Sequence, residues 1–104
     1  MIIEISTERI VSNEFLVHEH SDSVGVVVVE DVTAGREMNG WVMNTGESVA
    51  LTALSDIPLG HKVALRDLSE GETVLKYGHD IGKAVAEIPQ GHHAHVHNVK
   101  TKRW

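Results

Sequence analysis

One five-residue pattern occurs four times in this chain and constrains its fold more than any other feature. Asp31-Val-Thr-Ala-Gly35, Asp56-Ile-Pro-Leu-Gly60, Asp67-Leu-Ser-Glu-Gly71 and Glu87-Ile-Pro-Gln-Gly91 all read acid, aliphatic, two variable residues, glycine. Each lies between strand-like runs, so the physical reading is a tight corner. The acid accepts backbone N–H bonds and the aliphatic residue plugs the core. The glycine takes a positive φ that a Cβ would resist. Pro58 and Pro89 stand where a φ near −65° suits the start of such a turn. The spacings of 25, 11 and 20 residues are irregular, which excludes a solenoid. The corners therefore belong to one small fold built repeatedly from the same kind of turn.

The segments between the corners support an all-β class. Short strands are predicted over Phe15–His18, Val24–Glu30, Val49–Leu54, Lys62–Arg66, Thr73–Lys76, Lys83–Ile88 and His92–His97. The run Val24–Val29 is β-branched and lacks alternation, the pattern of a strand buried on both faces. No window after residue 13 carries sustained helical spacing with caps. With 104 residues the chain allows one domain and one modest core. Residues 1–11 fit a strand or a short amphipathic helix equally.

Charge and composition remove several functions. The net charge is −6, which disfavours nucleic acid as a partner because phosphate binding needs a basic face. No cysteine is present, so disulfides, thiolate nucleophiles and cysteine-ligated metals are excluded. No apolar run approaches the ~18 residues of a membrane span, and no signal peptide is visible, so a soluble cytoplasmic chain with no membrane partner is expected. Residues 1–56 hold ten acids against Arg9 and Arg36, while residues 57–104 hold seven basic residues against five acids. The basic end, Lys100-Thr-Lys-Arg103 before Trp104, reads either as a solvated tail or as an arm reaching a partner subunit or an anionic substrate.

Histidine is the chemically suggestive residue. Eight occur, four of them in Gly91-His-His-Ala-His-Val-His-Asn98. On a strand, His93, His95 and His97 would share one face, and His92, Ala94, Val96 and Asn98 the other. Alternate residues stand roughly 6.5–7 Å apart at Cα, close enough for an H-x-H pair to hold one ion. Neutral imidazole suits iron, zinc, copper or nickel, and it is the ordinary proton carrier near neutral pH. A half-solvated polar strand edge explains the same residues without a ligand. His18 and His20 repeat the H-x-H spacing and could join the same site in space. His61, between Gly60 and Lys62 at a corner, could bind a carboxylate or hydrogen-bond to the next strand.

Three ordered motifs then resemble one known module. Gly60-His61-Lys62, the set Tyr77, Gly78, Ile81 and Gly82, and the set His93, His95, His97 and Asn98 are similar to the small SAF domain of altronate and galactarate dehydratases. The resemblance implies a compact β-clip (SAF) fold over residues 14–104, behind an N-terminal extension over residues 1–13. In most of the family the module is fused to a large catalytic domain. A chain ending at Trp104 looks instead like the separate small subunit of a split, two-subunit lyase, inactive alone, releasing water or sulfite from a small hydroxy acid. The implied partners are a large catalytic subunit and a small anionic hydroxy acid, and self-association into a homo-oligomer is open.

Elimination β to a carboxylate needs a base for the α-proton and a cation for the developing enolate. The resemblance makes His93, His95 and His97 the candidates both for catalysis and for holding a divalent metal, iron by the family's example. His61, Lys62, Asn98, Lys100 and Arg103 become the candidates for binding substrate. The alternative is a non-catalytic β-clip module for carbohydrate binding, assembly or ice binding, since fold alone does not fix function. Few threonines and many charges argue against ice.

Overall fold

The repeated corners come in pairs, which accounts for their irregular spacing. The computed structural model describes residues 13–101. Val32 bridges Ile57 across the first pair, and Leu68 bridges Ile88 across the second. Each bridge drives two aliphatic plugs into the interior, where all four are at most 3% exposed. Three of the four acids cap across the pair rather than within their own turn. Asp56 accepts the Ala34 N–H at 3.0 Å, Asp67 accepts that of Gln90 at 2.8 Å, and Glu87 accepts that of Glu70 at 3.0 Å. The four glycines close their turns at φ between 84° and 95°. Their N–H groups bond to carbonyls of distant segments: Ala53, Val27, Ala84 and Ala64. Nearly every orphan backbone donor of a sharp turn thus finds a fixed acceptor.

Among the described residues the chain between corners forms nine short strands: β1 Asn13–Val17, β2 Val24–Val27, β3 Glu37–Val42, β4 Glu47–Thr52, β5 Lys62–Ala64, β6 Thr73–Lys76, β7 His79–Ala84, β8 His93–Ala94 and β9 Val99–Lys100. No helix occurs among the described residues, as the all-β expectation requires, so none is long and apolar enough to cross a membrane. One sheet runs β4-β3-β1-β2-β5-β8 and a smaller one runs β6-β7-β9. The pairing is antiparallel except between β1 and β3.

β2 divides two cores. Val27 belongs to the cluster around Phe15, Met38 and Ile57, and Val24 to the cluster around Leu68, Val74 and Ile88. The predicted burial on both faces holds only in part: Val24, Gly25 and Val27 are buried, Val26 is half-buried and Val28 emerges into solvent.

Several predicted boundaries require correction. β3 was not predicted, and its Gly40 is where the Phe15 ring lies: a Cβ there would meet ring carbons at 2.2–2.6 Å. The strand predicted over Lys83–Ile88 runs instead from His79 to Ala84, because Tyr77 and Gly78, at φ 58° and 70°, turn β6 back into β7. Ile88 is a corner plug. The predicted strand His92–His97 shortens to His93–Ala94, and the chain turns at once over residues 95–98. Of the predicted N-terminal extension, only Asn13 is among the described residues, and it begins β1.

Candidate functional site

The imidazoles of the third motif do converge, through a turn and a strand register rather than by alternation along one strand. β5 pairs β8 antiparallel with Lys62 opposite Ala94 and Val63 opposite His93. One step further in that register sets His61 opposite His95. Their rings stack with centroids 3.7 Å apart and planes 17° apart. His93 lies beside both, with centroids 5.0 Å from His61 and 5.6 Å from His95. His61 Nδ1 and His93 Nε2 are 2.8 Å apart, so one ring presents N–H and the other a lone pair. His97 lies against His93 at 5.0 Å.

Local backbone bonds fix this arrangement. His61 closes its corner by donating its N–H to Pro58 and accepting that of Val27. The His93 N–H donates to the Ser55 hydroxyl at 2.9 Å. Asn98 ties the turn together: its side-chain carbonyl accepts the His95 N–H, and its amide donates to the His93 carbonyl, both at 2.9 Å. Asn98, expected to touch substrate, thus commits its side chain to holding the histidines in place. Lys62 follows His61 directly and is half-buried on β5. Lys100 is exposed on β9 in the smaller sheet, and Arg103 lies outside the described residues.

The other H-x-H pair does not join the cluster. His18 packs edge-on against Tyr77 with centroids 4.5 Å apart, and His20 pairs with Glu47 at 3.2 Å.

The electrostatics favour neutral imidazoles. Partial burial, then the neighbouring positive charges of His61, His97, His95 and Lys62, hold His93 below the ordinary histidine value. His95 is lowered by burial first, then by His61, Lys62 and His97. Lys62 is itself lowered by burial and by the charge of Lys76. Two imidazoles are thereby kept in the form that accepts a proton or binds a metal.

His61, His93 and His95 each offer one ring nitrogen, and these three atoms lie within 4.8 Å of one another. The Nδ1 of His95 is buried and has no hydrogen-bond partner among the described residues. A buried acceptor or donor left unmade is costly, and a bound cation or ligand removes that cost. The donor set fits a borderline divalent metal. The converging nitrogens are thus those of His61, His93 and His95, with His97 behind His93. Sequence reasoning assigned His61 elsewhere, because the register of two strands 30 residues apart has no local signal.

Residues 13–102 match the family model described as "Altronate/galactarate dehydratase SAF domain". The chain is 56% identical over 93 residues to (2R)-sulfolactate sulfo-lyase subunit alpha of Chromohalobacter salexigens, covering 89% of this chain and 99% of the relative. It is 54% identical over 63 residues to the protein of the same name from Paracoccus pantotrophus, covering 61% of this chain and 94% of that one. The altronate dehydratase of Escherichia coli is 38% identical over 80 residues, which are 77% of this chain but only 15% of that enzyme.

Proposed function

Because the chain belongs to the altronate/galactarate dehydratase SAF-domain family, we propose that it is the small subunit of a two-subunit lyase that eliminates sulfite, or water, from a small hydroxy acid, and that its histidine cluster forms part of the shared active site. The observation that carries the second half is the buried Nδ1 of His95, without a partner among the described residues, within three converging imidazoles. Sulfite release is favoured over dehydration by the near full-length match to the sulfo-lyase subunits, against the short fraction matched in the altronate enzyme. The large subunit of such an enzyme is the partner, and a cytoplasmic setting belongs to the same reading.

The reaction removes a proton α to a carboxylate and expels the group on the β-carbon with its electron pair. In the metal-free cluster His95 and His93, neutral because burial and neighbouring charge disfavour protonation, can accept that proton; with their lone pairs given to a metal, the acceptor would be His97 beside them. His97, exposed beside His93, can pass it to solvent. Asn98 and Ser55 keep the rings aimed, so that little motion is needed when substrate arrives. A divalent metal, iron by the family's example, would be held by His61, His93 and His95 and would supply Lewis-acid stabilisation of the developing negative charge.

The test is reconstitution. The chain and a large subunit, assayed together with a divalent metal, should release sulfite from (2R)-sulfolactate, while neither does so alone. Turnover by this chain by itself, or undiminished turnover by the large subunit without it, would contradict the assignment.

A further inference from the structure

The hairpin turn between β6 and β7 carries a tyrosine where the backbone favours glycine or asparagine. Tyr77 has φ 58°, and Gly78 after it has φ 70°. For a bulky side chain that conformation is strained and persists only where its surroundings enforce it. Here the enforcing group is Asp22, only 4% exposed, whose carboxylate accepts the N–H groups of Tyr77 and Gly78 at 2.9 Å each and that of Glu19 at 3.1 Å. The strained turn puts the Tyr77 ring beneath Lys76, with the ammonium 4.0 Å from the ring centroid. The ring fixes the lysine without using its N–H donors.

Lys76 and Tyr77 line a groove of about 250 Å³ together with Leu16, Val24 and Val26. Lys62 is directly opposite Val26 across the β2–β5 pair, on the same face. Lys62 thus points to the side of the sheet on which Val26 lines the groove, and the Lys76 charge is near enough to act on it. Neither forms an ion pair with a carboxylate among the described residues, in a chain whose net charge is −6. Asp22, the acid nearest the groove, already serves three backbone donors. Successive strand residues point to opposite faces, yet the Lys62 charge is near enough to act on both His93 and His95.

We infer that Lys76 and Lys62 form an anion-binding subsite that grips a sulfonate or carboxylate of the substrate while the reacting carbons face the histidines. This rests on the lyase reading for the identity of the substrate, but not for the existence of the subsite. Lys76 is the residue that neither the motifs nor the histidine geometry assigned. The strain at Tyr77 is what holds it in place.

The test uses the isotope-labelled full chain, titrated separately with (2R)-sulfolactate, lactate and inorganic sulfate and followed by amide shifts. Sulfolactate and sulfate should move the amides of Val26, Lys62, Lys76 and Tyr77, and lactate should bind more weakly if the subsite prefers the sulfonate. Equal shifts with lactate would assign it to carboxylates instead. Lys76→Met should weaken binding at least about tenfold, the loss expected for one hydrogen bond to a charged group, with Lys83→Met as the control. In the reconstituted lyase the same variant should raise KM by about that factor with kcat nearly unchanged.

Unaltered binding in Lys76→Met, or no shifts at these amides with any of the three anions, overturns the subsite. If the lyase turns over while Lys76→Met leaves KM unchanged, the subsite fails and the lyase reading stands. If the anions bind at the lysines but no turnover is found, the lyase reading fails and the subsite stands. A matching melting curve for the variant establishes that it folds.

Discussion

Gly60 and Gly91 end equivalent corners at nearly the same dihedral, φ 84° and 87°, yet alanine should be tolerated very differently at the two. A Cβ on Gly60 would meet nothing within 4 Å among the described residues. The cost there is the left-handed conformation alone, about 1–2 kcal/mol. On Gly91 the same atom would lie 2.4 Å from the Thr52 carbonyl oxygen and 3.2 Å from Leu54. The carbonyl belongs to backbone and cannot rotate aside, so the overlap adds a packing cost of about 1–3 kcal/mol. Near 100 residues each kcal/mol shifts Tm by roughly 4–8 °C. Gly60→Ala should therefore melt about 4–16 °C below the natural chain, and Gly91→Ala further below by at least half as much again. Thermal melts followed by far-ultraviolet circular dichroism, with urea midpoints as a second measure, decide it. Equal losses at both positions would show that the contact is irrelevant. No loss at either would remove positive φ as the reason for the corner glycines.

Asp22→Ala leaves the N–H groups of Glu19, Tyr77 and Gly78 without their acceptor and should cost at least about 2 kcal/mol in urea denaturation, against under 0.5 for Glu47→Ala at the surface. Acid should destabilise the fold. Burial and neighbouring charge hold His93 and His95 below the histidine value near 6.5, so the unfolded chain binds protons first as pH falls. Their contribution is fully present above the unfolded value and is lost from about pH 6.5 downward, so the urea midpoint should fall between pH 7.5 and 5.5, and by less in His93→Ala. A divalent metal held by the cluster should raise Tm, with about 2.7 kcal/mol of stabilisation at a hundredfold excess over Kd. His61→Ala should abolish that rise, and His97→Ala should largely keep it.

The corners were legible because each carries its own chemistry: an acid, an aliphatic plug and a glycine within five residues. Their pairing was not, because the Asp67–Gln90 and Glu87–Glu70 caps join segments that only the folded chain brings together. β3 was hidden by Asn39-Gly40, a dipeptide that ordinarily marks a hairpin turn. Here the glycine makes room for Phe15 instead. The imidazoles of the histidine segment do converge, but not by strand alternation, since alternation ends at Ala94 and the Asn98-braced turn brings His95 back. His61 entered the cluster through the β5–β8 register, and Lys76 became notable only when the left-handed Tyr77 placed its ring. Both depend on contacts between distant segments, which residue spacing does not encode.

The central claim is that the imidazoles of this small chain work in the active site of the assembled lyase. It is tested most directly by His95→Ala, with His92→Ala as the control, each combined with the large subunit and a divalent metal. His95 has its buried Nδ1 in the cluster, whereas His92 makes none of the ring contacts found there. Both variants should fold, as judged by melting curves. His95→Ala should lower kcat by at least ~10²-fold, the low end for a lost acid–base group, and His92→Ala by less than threefold. Full activity in His95→Ala, or equal losses at both positions, would contradict the account.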